Sequence, residues 1–402
     1  MNIPQGYKQT ELGIIPEDWE VKKICEGLAD VKSGKRLPSG YYVTNQHTKH
    51  PYIRVIDMYD GGVDTSNLMY VPDEAYKPIE KYRIFKDDIF ISVAGTLGIV
   101  GKIPEWLDGA NLTENANRLT NITCNRDYLL YYLRSPYIQD VISSEQTIGA
   151  QPKLALMRIR NFDIALPKDI AEQRAIAEAL SDVDGLIAAL DKKTAKKRLL
   201  KQGAMQQLLT GKKRLPGFTD EWIKCELLTV CNVLDNKRVP LNDEQRTSGI
   251  YPYCGANGIV DYIDRYIFDE DLILIAEDGG NFDQYETRPI AYWMSGKYWV
   301  NNHAHVLKAK NEYNQRHIFY QLEHKDITDY IVGGTRTKLT RAQLDKIEIS
   351  MPSTYAEQQA IATILSDMDK EIADLEAQRD KYRLLKSGMM QKLLTGQIRF
   401  KK

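Results

Sequence analysis

The chain contains itself twice. The segment from Ala171 to Gly211 returns from Ala356 to Gly396, with 25 of 41 positions identical and no gap. A long internal repeat constrains architecture more than any local pattern does. The offset of 185 residues is far too long for a solenoid. It implies two large, similar halves in one chain, and with them a built-in pseudo-two-fold.

Each copy is helical by pattern. Ile176, Leu180, Val183, Ile187 and Leu190 are spaced alternately by four and three, and Ile361, Leu365, Met368, Ile372 and Leu375 repeat that spacing. This is the a/d seam of a coiled coil. Pro167 and Pro352 precede the copies, at what reads as the helix start, where proline is tolerated. Each copy closes on Leu-Leu-Thr-Gly, and Gly211 and Gly396 supply the stop. Some 40 residues at about 1.5 Å each make a rod of about 60 Å. Such a rod does not stand in water with its seam exposed. The pattern therefore predicts that the two helices pack on each other, antiparallel if the halves are related by a two-fold. The alternative is that each packs against its own globular half.

The rest is mixed α/β in character. Ile89–Val93 and Leu272–Ile275 read as buried strands, each introduced by a similar acidic phrase, and each half enters through a Pro and a Trp (Pro16 and Trp19; Pro216 and Trp222). The reading is a globular domain at 1–165, a helical spacer at 166–212, a second globular domain at 213–350 and a second spacer at 351–402. The helices are alike and the globular domains differ, as expected of a scaffold carrying two readers of two different things. In a two-fold arrangement the segment after Gly396 must lie near Ile15 and Pro16, giving a nearly circular molecule.

Composition narrows the class. At 402 residues there is room for two or three cores. Neither a membrane-length apolar run nor an apolar leader is apparent, so the cytoplasm is the expected location. Five scattered cysteines without close pairing fit reduced thiols. The net charge of -1 means that positive charge for any nucleic acid must be local or come from a partner. The parts of an enzyme are missing: residues 95–102 mimic a phosphate loop with the wrong spacing, and Ile103-Pro104 follows where a Ser or Thr and a helix are needed. His303 and His305 look like a metal pair but lack a companion cluster in the sequence, so a polar-network role is expected. No metal or catalytic residue is assigned.

The order domain, helix, domain, helix resembles the specificity (HsdS) subunits of type I restriction–modification systems. The resemblance covers essentially the whole chain. It rests on Ala171-Glu172-Gln173 and Ala356-Glu357-Gln358, each followed by Leu-Ser-Asp, on the closing Leu-Leu-Thr-Gly phrases, and on residues 110–116 and 301–307, which look like a phrase shared by target-recognition domains. The resemblance implies a non-catalytic reader of double-stranded DNA. Each domain reads one half of an asymmetric split target. The helices set the gap and dock two methyltransferase subunits, which a restriction and translocase subunit can join. S-adenosylmethionine then belongs to the methyltransferase partner, and ATP and Mg to the nuclease partner, leaving no cofactor for this chain. A methylation-only system and a coiled-coil adaptor with two protein-binding domains remain open alternatives.

Two pairs of polar loops are the candidate DNA contacts. Lys35-Arg36 and Lys237-Arg238 each precede a Pro by two residues, and Arg or Lys addresses guanine edges or phosphate. Gln151 and Lys153 align with Arg336 and Lys338 at the same 185-residue offset as the helices, beside glycines that allow close approach to a duplex. Lysines late in each helix, such as Lys197, Lys201 and Lys386, are further candidates for phosphates or acidic partner surfaces.

Overall fold

The apolar runs read as strands lie at the centres of sheets. In a computed structural model, which describes residues 3–144, 153–334 and 337–400, Ile89–Ser92 is flanked in a four-stranded sheet of order Val100–Gly101, Ile89–Ser92, Ala116–Thr120, Asp30–Ser33. Every residue of Ile89–Ser92 is buried, which explains its unbroken hydrophobicity. A second four-stranded sheet runs Met69–Tyr70, Pro51–Ile53, Ala110–Leu112, Arg83–Ile84.

The other half repeats both sheets strand for strand. Its orders are Cys231–Val233, Ala304–Ala309, Leu272–Ala276, Ala291–Met294, and Gly258–Ile263, Ser248–Gly255, Lys297–Val300, Phe268–Asp269. The one parallel pairing of each second sheet falls at the same place: Asn111 with Tyr52, and Tyr253 with Trp299. One topology thus underlies two sequences that have drifted apart.

Each half also has a two-stranded ribbon, Trp19–Lys23 with Asp163–Pro167 and Trp222–Glu226 with Glu348–Pro352. Trp19 sits opposite Pro167 and Trp222 opposite Pro352. The prolines therefore end strands and do not open helices. The helices start a turn later, at Ile170 and Tyr355, and the proline carbonyls have a separate use described below.

The two long helices, Ile170–Leu208 and Tyr355–Leu393, have 39 residues each. Compactness divides the chain into Met1–Ala189 with Gln378–Lys402, the first unit, and Leu190–Ala377, the second. This partition cuts both helices and so differs from the segment boundaries read in the sequence. Each unit consists of one globular domain, the N-terminal part of the helix that follows it and the C-terminal part of the other helix.

Within each unit these helix segments run antiparallel. In the first, Ile176 and Leu180 share a core with Met390, Leu393 and Leu394, and Lys386 pairs with Asp184 at 2.6 Å. In the second, Leu208 and Leu209 share a core with Ile361 and Leu365, while Lys201 pairs with Asp369 at 2.6 Å. Lys197 pairs with Glu371 and Arg198 with Glu376. The seam is not used uniformly. Ile176, Leu180, Ile361 and Leu365 are buried in cores that include the globular domain, Val183, Ile372 and Leu375 are buried less deeply, and Ile187, Leu190 and Met368 are half-buried. Both readings of the helices hold: they pair, and their N-terminal turns also pack on their own domains. Gly211 and Gly396 have φ of 68° and 70°, the left-handed conformation that ends a helix on glycine.

Candidate nucleic-acid interface

The repeated residues of each helix form a clamp that holds a globular domain. Glu172 receives Arg399 through two hydrogen bonds, Nε to Oε1 at 2.5 Å and Nη2 to Oε2 at 2.7 Å, and Trp19 Nε1 donates to Oε2 at 3.3 Å. Arg399 also grips Asp18 with two bonds of 2.9 Å. Hydrogen bonding to Glu172, partly offset by burial, raises its pKa further above the ordinary guanidinium value. In the second unit Arg214 makes the same fork onto Glu357, with two bonds of 2.7 Å. Such bidentate pairs fix orientation as well as adding energy.

The following glutamine does a second job. Gln173 accepts from the Asn125 backbone N–H and donates to the Pro167 carbonyl, at 2.8 and 2.7 Å. Gln358 accepts from the Asn314 N–H and donates to the Pro352 carbonyl, both at 2.8 Å. Asn125 and Asn314 cap the helices Arg126–Leu133 and Gln315–Glu323. Further along the same helices, Tyr131 donates to Asp184 at 2.9 Å, and Tyr320 to Asp369 at 2.7 Å. Glu172, Gln173 and Asp184, and likewise Glu357, Gln358 and Asp369, are thus all engaged within their own unit.

The candidate DNA-facing loops gather at one end of the first sheet in each unit. In the first unit Lys35 follows Asp30–Ser33, and its N–H donates to the Leu112 carbonyl at 2.8 Å. Gly34 is required there, because a Cβ would lie 2.0 Å from the Thr113 oxygen. Tyr52 donates to the Lys35 carbonyl at 3.1 Å and approaches Glu114 at 3.5 Å; burial pushes its hydroxyl up to about 12. The Asn115 carbonyl accepts from Val93 and Ala94, and Ala94 forms a β-bridge with Lys153. Lys35, Arg36 and Lys153 are therefore tied to one phrase, Leu112–Asn115, and all three are exposed. Neither Arg36 nor Lys153 has an ion-pair partner among the described residues. Tyr42, in the same loop as Arg36, is 83% exposed.

The second unit builds the same junction. Glu277 donates its N–H to the His303 carbonyl, Leu339 donates to the Glu277 carbonyl, and Asp278 forms a β-bridge with Lys338. Lys237 is exposed, but Arg238 is not. Its Nη1 reaches Glu277 at 2.6 Å and the Ala304 carbonyl at 2.7 Å, while Nη2 lies 3.3 Å from Asp235. Lys338 pairs with the same Glu277 at 2.9 Å. His305 is buried, its Nδ1 lies 2.6 Å from Asp235 and its Nε2 lies 2.8 Å from the Leu339 carbonyl. Burial would raise both carboxyl pKa values. Hydrogen bonds from His305 to Asp235, and from Lys338 and Arg238 to Glu277, override this and hold both below their usual values.

Asp235, Glu277 and His305 offer ligand atoms within 4.8 Å of one another, yet the cationic Arg238 and Lys338 already fill that role. His303 turns instead to Asp278, at 2.6 Å, so the two histidines serve different carboxylates. Of the residues singled out in the sequence, Gln151 and Arg336 lie outside the described residues. The other loop residues fall at the two sheet ends, Arg238 as an internal tie, while Lys197, Lys201 and Lys386 lie on the long helices in ion pairs with Glu371, Asp369 and Asp184. Sequence reading missed Asp235 and Glu277, which lie 42 residues apart and share no motif. Among the described residues no helix is long and apolar enough to cross a membrane.

Comparison with known proteins follows the sequence repeat. Residues 16–200 and 219–382 each match the type I restriction modification DNA specificity domain. A protein of Methanocaldococcus jannaschii named as the type I restriction enzyme MjaX specificity subunit is 26% identical over 99% of this chain and 97% of its own length. A Haemophilus influenzae protein named as a type I restriction enzyme specificity subunit is 37% identical over 141 residues, a match spanning 35% of each chain. The crystal structure of a type I restriction–modification S subunit from M. genitalium superposes with a TM-score of 0.63 at 17% identity, covering 98% of both chains. A chain from a structure of complex assembly and conformational transition in a type I system gives 0.55 at 15% identity, covering 96% and 99%. At such identities these structures speak for the fold alone.

Proposed function

The chain belongs to the type I restriction–modification DNA specificity family, and from that membership we propose that it is the subunit through which such a complex reads its DNA target. Each unit reads one half of a split sequence through the loops at its sheet end, and the helices set the separation. The observation that carries this is the coincidence of Lys35, Arg36 and Lys153, and of Lys237 and Lys338, at equivalent sheet ends of two domains held by equivalent clamps. Equivalent mounting with divergent loops is what two readers of different sequences require.

The subunit is non-catalytic in this reading and acts in the cytoplasm on double-stranded DNA. It holds no cofactor. S-adenosylmethionine belongs to methyltransferase subunits docked on it, and ATP and Mg to a nuclease subunit where one joins. The cation-like position beside Asp235 and Glu277 is already filled by Arg238 and Lys338, which supports the absence of a resident metal. Leu199, Leu200, Leu384 and Leu385, 50 to 77% exposed, stand at the same place in each copy of the helix. They support docking of one kind of partner twice.

Methylation mapping tests the proposal. Cells carrying this chain together with its methyltransferase are expected to show a split, asymmetric methylated motif that vanishes when the chain is deleted. A chain that binds the methyltransferase but imposes no motif would turn the assignment towards an adaptor.

A further inference from the structure

The two sheet ends share a topology and differ in electrostatics. Strand register places Ser33 opposite Asn117 in the first unit, and the same positions in the second unit hold Asp235 and His305. Val93, 2% exposed, makes the backbone bonds in the first unit that Glu277 makes in the second. Three neutral residues thus stand where the second unit has two carboxylates and a histidine. In the first unit Lys35, Arg36 and Lys153 are exposed and form no ion pair among the described residues. In the second, Arg238 is paired with Asp235 and Glu277 and Lys338 with Glu277, while Lys237 is exposed. The Arg238 guanidinium is 13% exposed, and its Nε, Nη1 and Nη2 are all committed to Asp235, Glu277 and the Ala304 carbonyl.

A phosphate that engages Arg36 displaces only water and a counterion. A phosphate that engages Arg238 or Lys338 must first displace a carboxylate already at 2.6 or 2.9 Å, an exchange of one anion for another. Counterion release, which supplies the salt-dependent share of duplex affinity, is then open to all three cations of the first unit and, in the second, to Lys237 but not to Arg238 or Lys338.

We propose that the two units divide DNA binding unequally: the first carries most of the phosphate-neutralising share, and in the second Glu277 withholds Arg238 and Lys338 from phosphates, making Glu277 a specificity-determining residue of that half. The proposal rests on the reading that the sheet-end loops face DNA. With Arg238 and Lys338 held by carboxylates, the second unit keeps Lys237 for phosphate and gains the rest of its affinity from base edges, where a carboxylate can accept from a cytosine or adenine amine.

The test is the salt dependence of binding by the full chain, with its methyltransferase subunits bound, to a random-sequence duplex several turns long. Lys153→Ala and Lys338→Ala are a matched pair of exposed substitutions. Lys153→Ala is expected to lower the slope of log K against log salt by about 0.9, one phosphate contact, and Lys338→Ala to leave it unchanged. Glu277→Gln is expected to steepen the slope by up to about 1.8 through the two freed cations, to tighten non-specific binding severalfold, and to relax the methylated motif in one half only. Adding Lys338→Ala to that variant should remove about half of the gain. Equal losses from the two lysine variants, or a slope unmoved by Glu277→Gln, would overturn the proposal. A wild-type complex whose binding ignores salt would instead overturn the reading beneath it.

Discussion

Two regions of each unit have been copied to different standards. The central bonds of the clamp are reproduced: Arg399 on Glu172 and Arg214 on Glu357, Gln173 and Gln358 on a strand-end proline carbonyl, Tyr131 on Asp184 and Tyr320 on Asp369. The sheet end keeps its backbone bonds and changes its charges. How a domain is mounted is thus fixed independently of what it meets, so either surface can change without disturbing the geometry that aims it.

The comparison can be broken most forcefully at the clamp. Glu357 is fully buried, so Arg214→Ala leaves an uncompensated carboxylate and should give the second unit its largest loss of stability. Arg399→Ala should do the same to the first, each change unfolding its own unit first in urea followed by unit-specific hydrogen exchange. If either variant destabilised both units alike, independent mounting would be wrong.

Acid should separate the units next. Both ring nitrogens of buried His317 are without a hydrogen-bond partner among the described residues, and burial lowers its pKa to about 4. The first unit has Tyr128 there, donating to the Ala165 carbonyl at 2.6 Å. Above about pH 6.5 His317 is neutral whether folded or not. Below it the unfolded chain takes up a proton that the folded unit refuses, so stability falls between pH 6.5 and 4 by about 3 kcal/mol. His317→Phe should abolish that loss in denaturation at pH 7 and 4.5, and an unchanged pH dependence would count against the assignment.

A smaller effect is expected at the tyrosines. Tyr131→Phe and Tyr320→Phe each remove one hydrogen bond to a carboxylate, worth about 1.5–3 kcal/mol, and matched losses would sharpen the equivalence. Smallest in stability are Leu199→Ser with Leu200→Ser, and Leu384→Ser with Leu385→Ser. These exposed changes should stay within about 0.5 kcal/mol, yet each pair should remove one methyltransferase copy in light scattering of the complex. Retention of both copies would assign the leucines another use.

The repeat, the helices, their glycine stops and the central strands were legible because each is written in local spacing. The roles of Glu172 and Gln173 were not, although both were marked as signature residues, since their partners Arg399, Asn125 and Pro167 share no periodicity with them. The common sheet topology was hidden by divergence: buried strand positions accept many apolar residues at little cost, so two sequences can drift apart within one fold. Lys237 and Arg238 read as one basic pair. Only the approach of Glu277, from a strand end 39 residues on, separates an exposed cation from an internal tie.

The second unit is one uninterrupted stretch of chain, whereas the first needs residues from both ends. Tyr7 donates to the Gly396 carbonyl and Asp18 waits for Arg399, contacts 389 and 381 residues apart. On a ribosome adding about 5–20 residues per second, the N-terminal domain has its own residues early. It then stays without its last helical segment for roughly 200 residues more, on the order of 10–40 s. Synthesis therefore leaves the apolar groove that takes Met390, Leu393 and Leu394 open throughout the making of the second unit. The domain begun first is completed last, and that interval is when the nascent chain is most exposed to wrong partners.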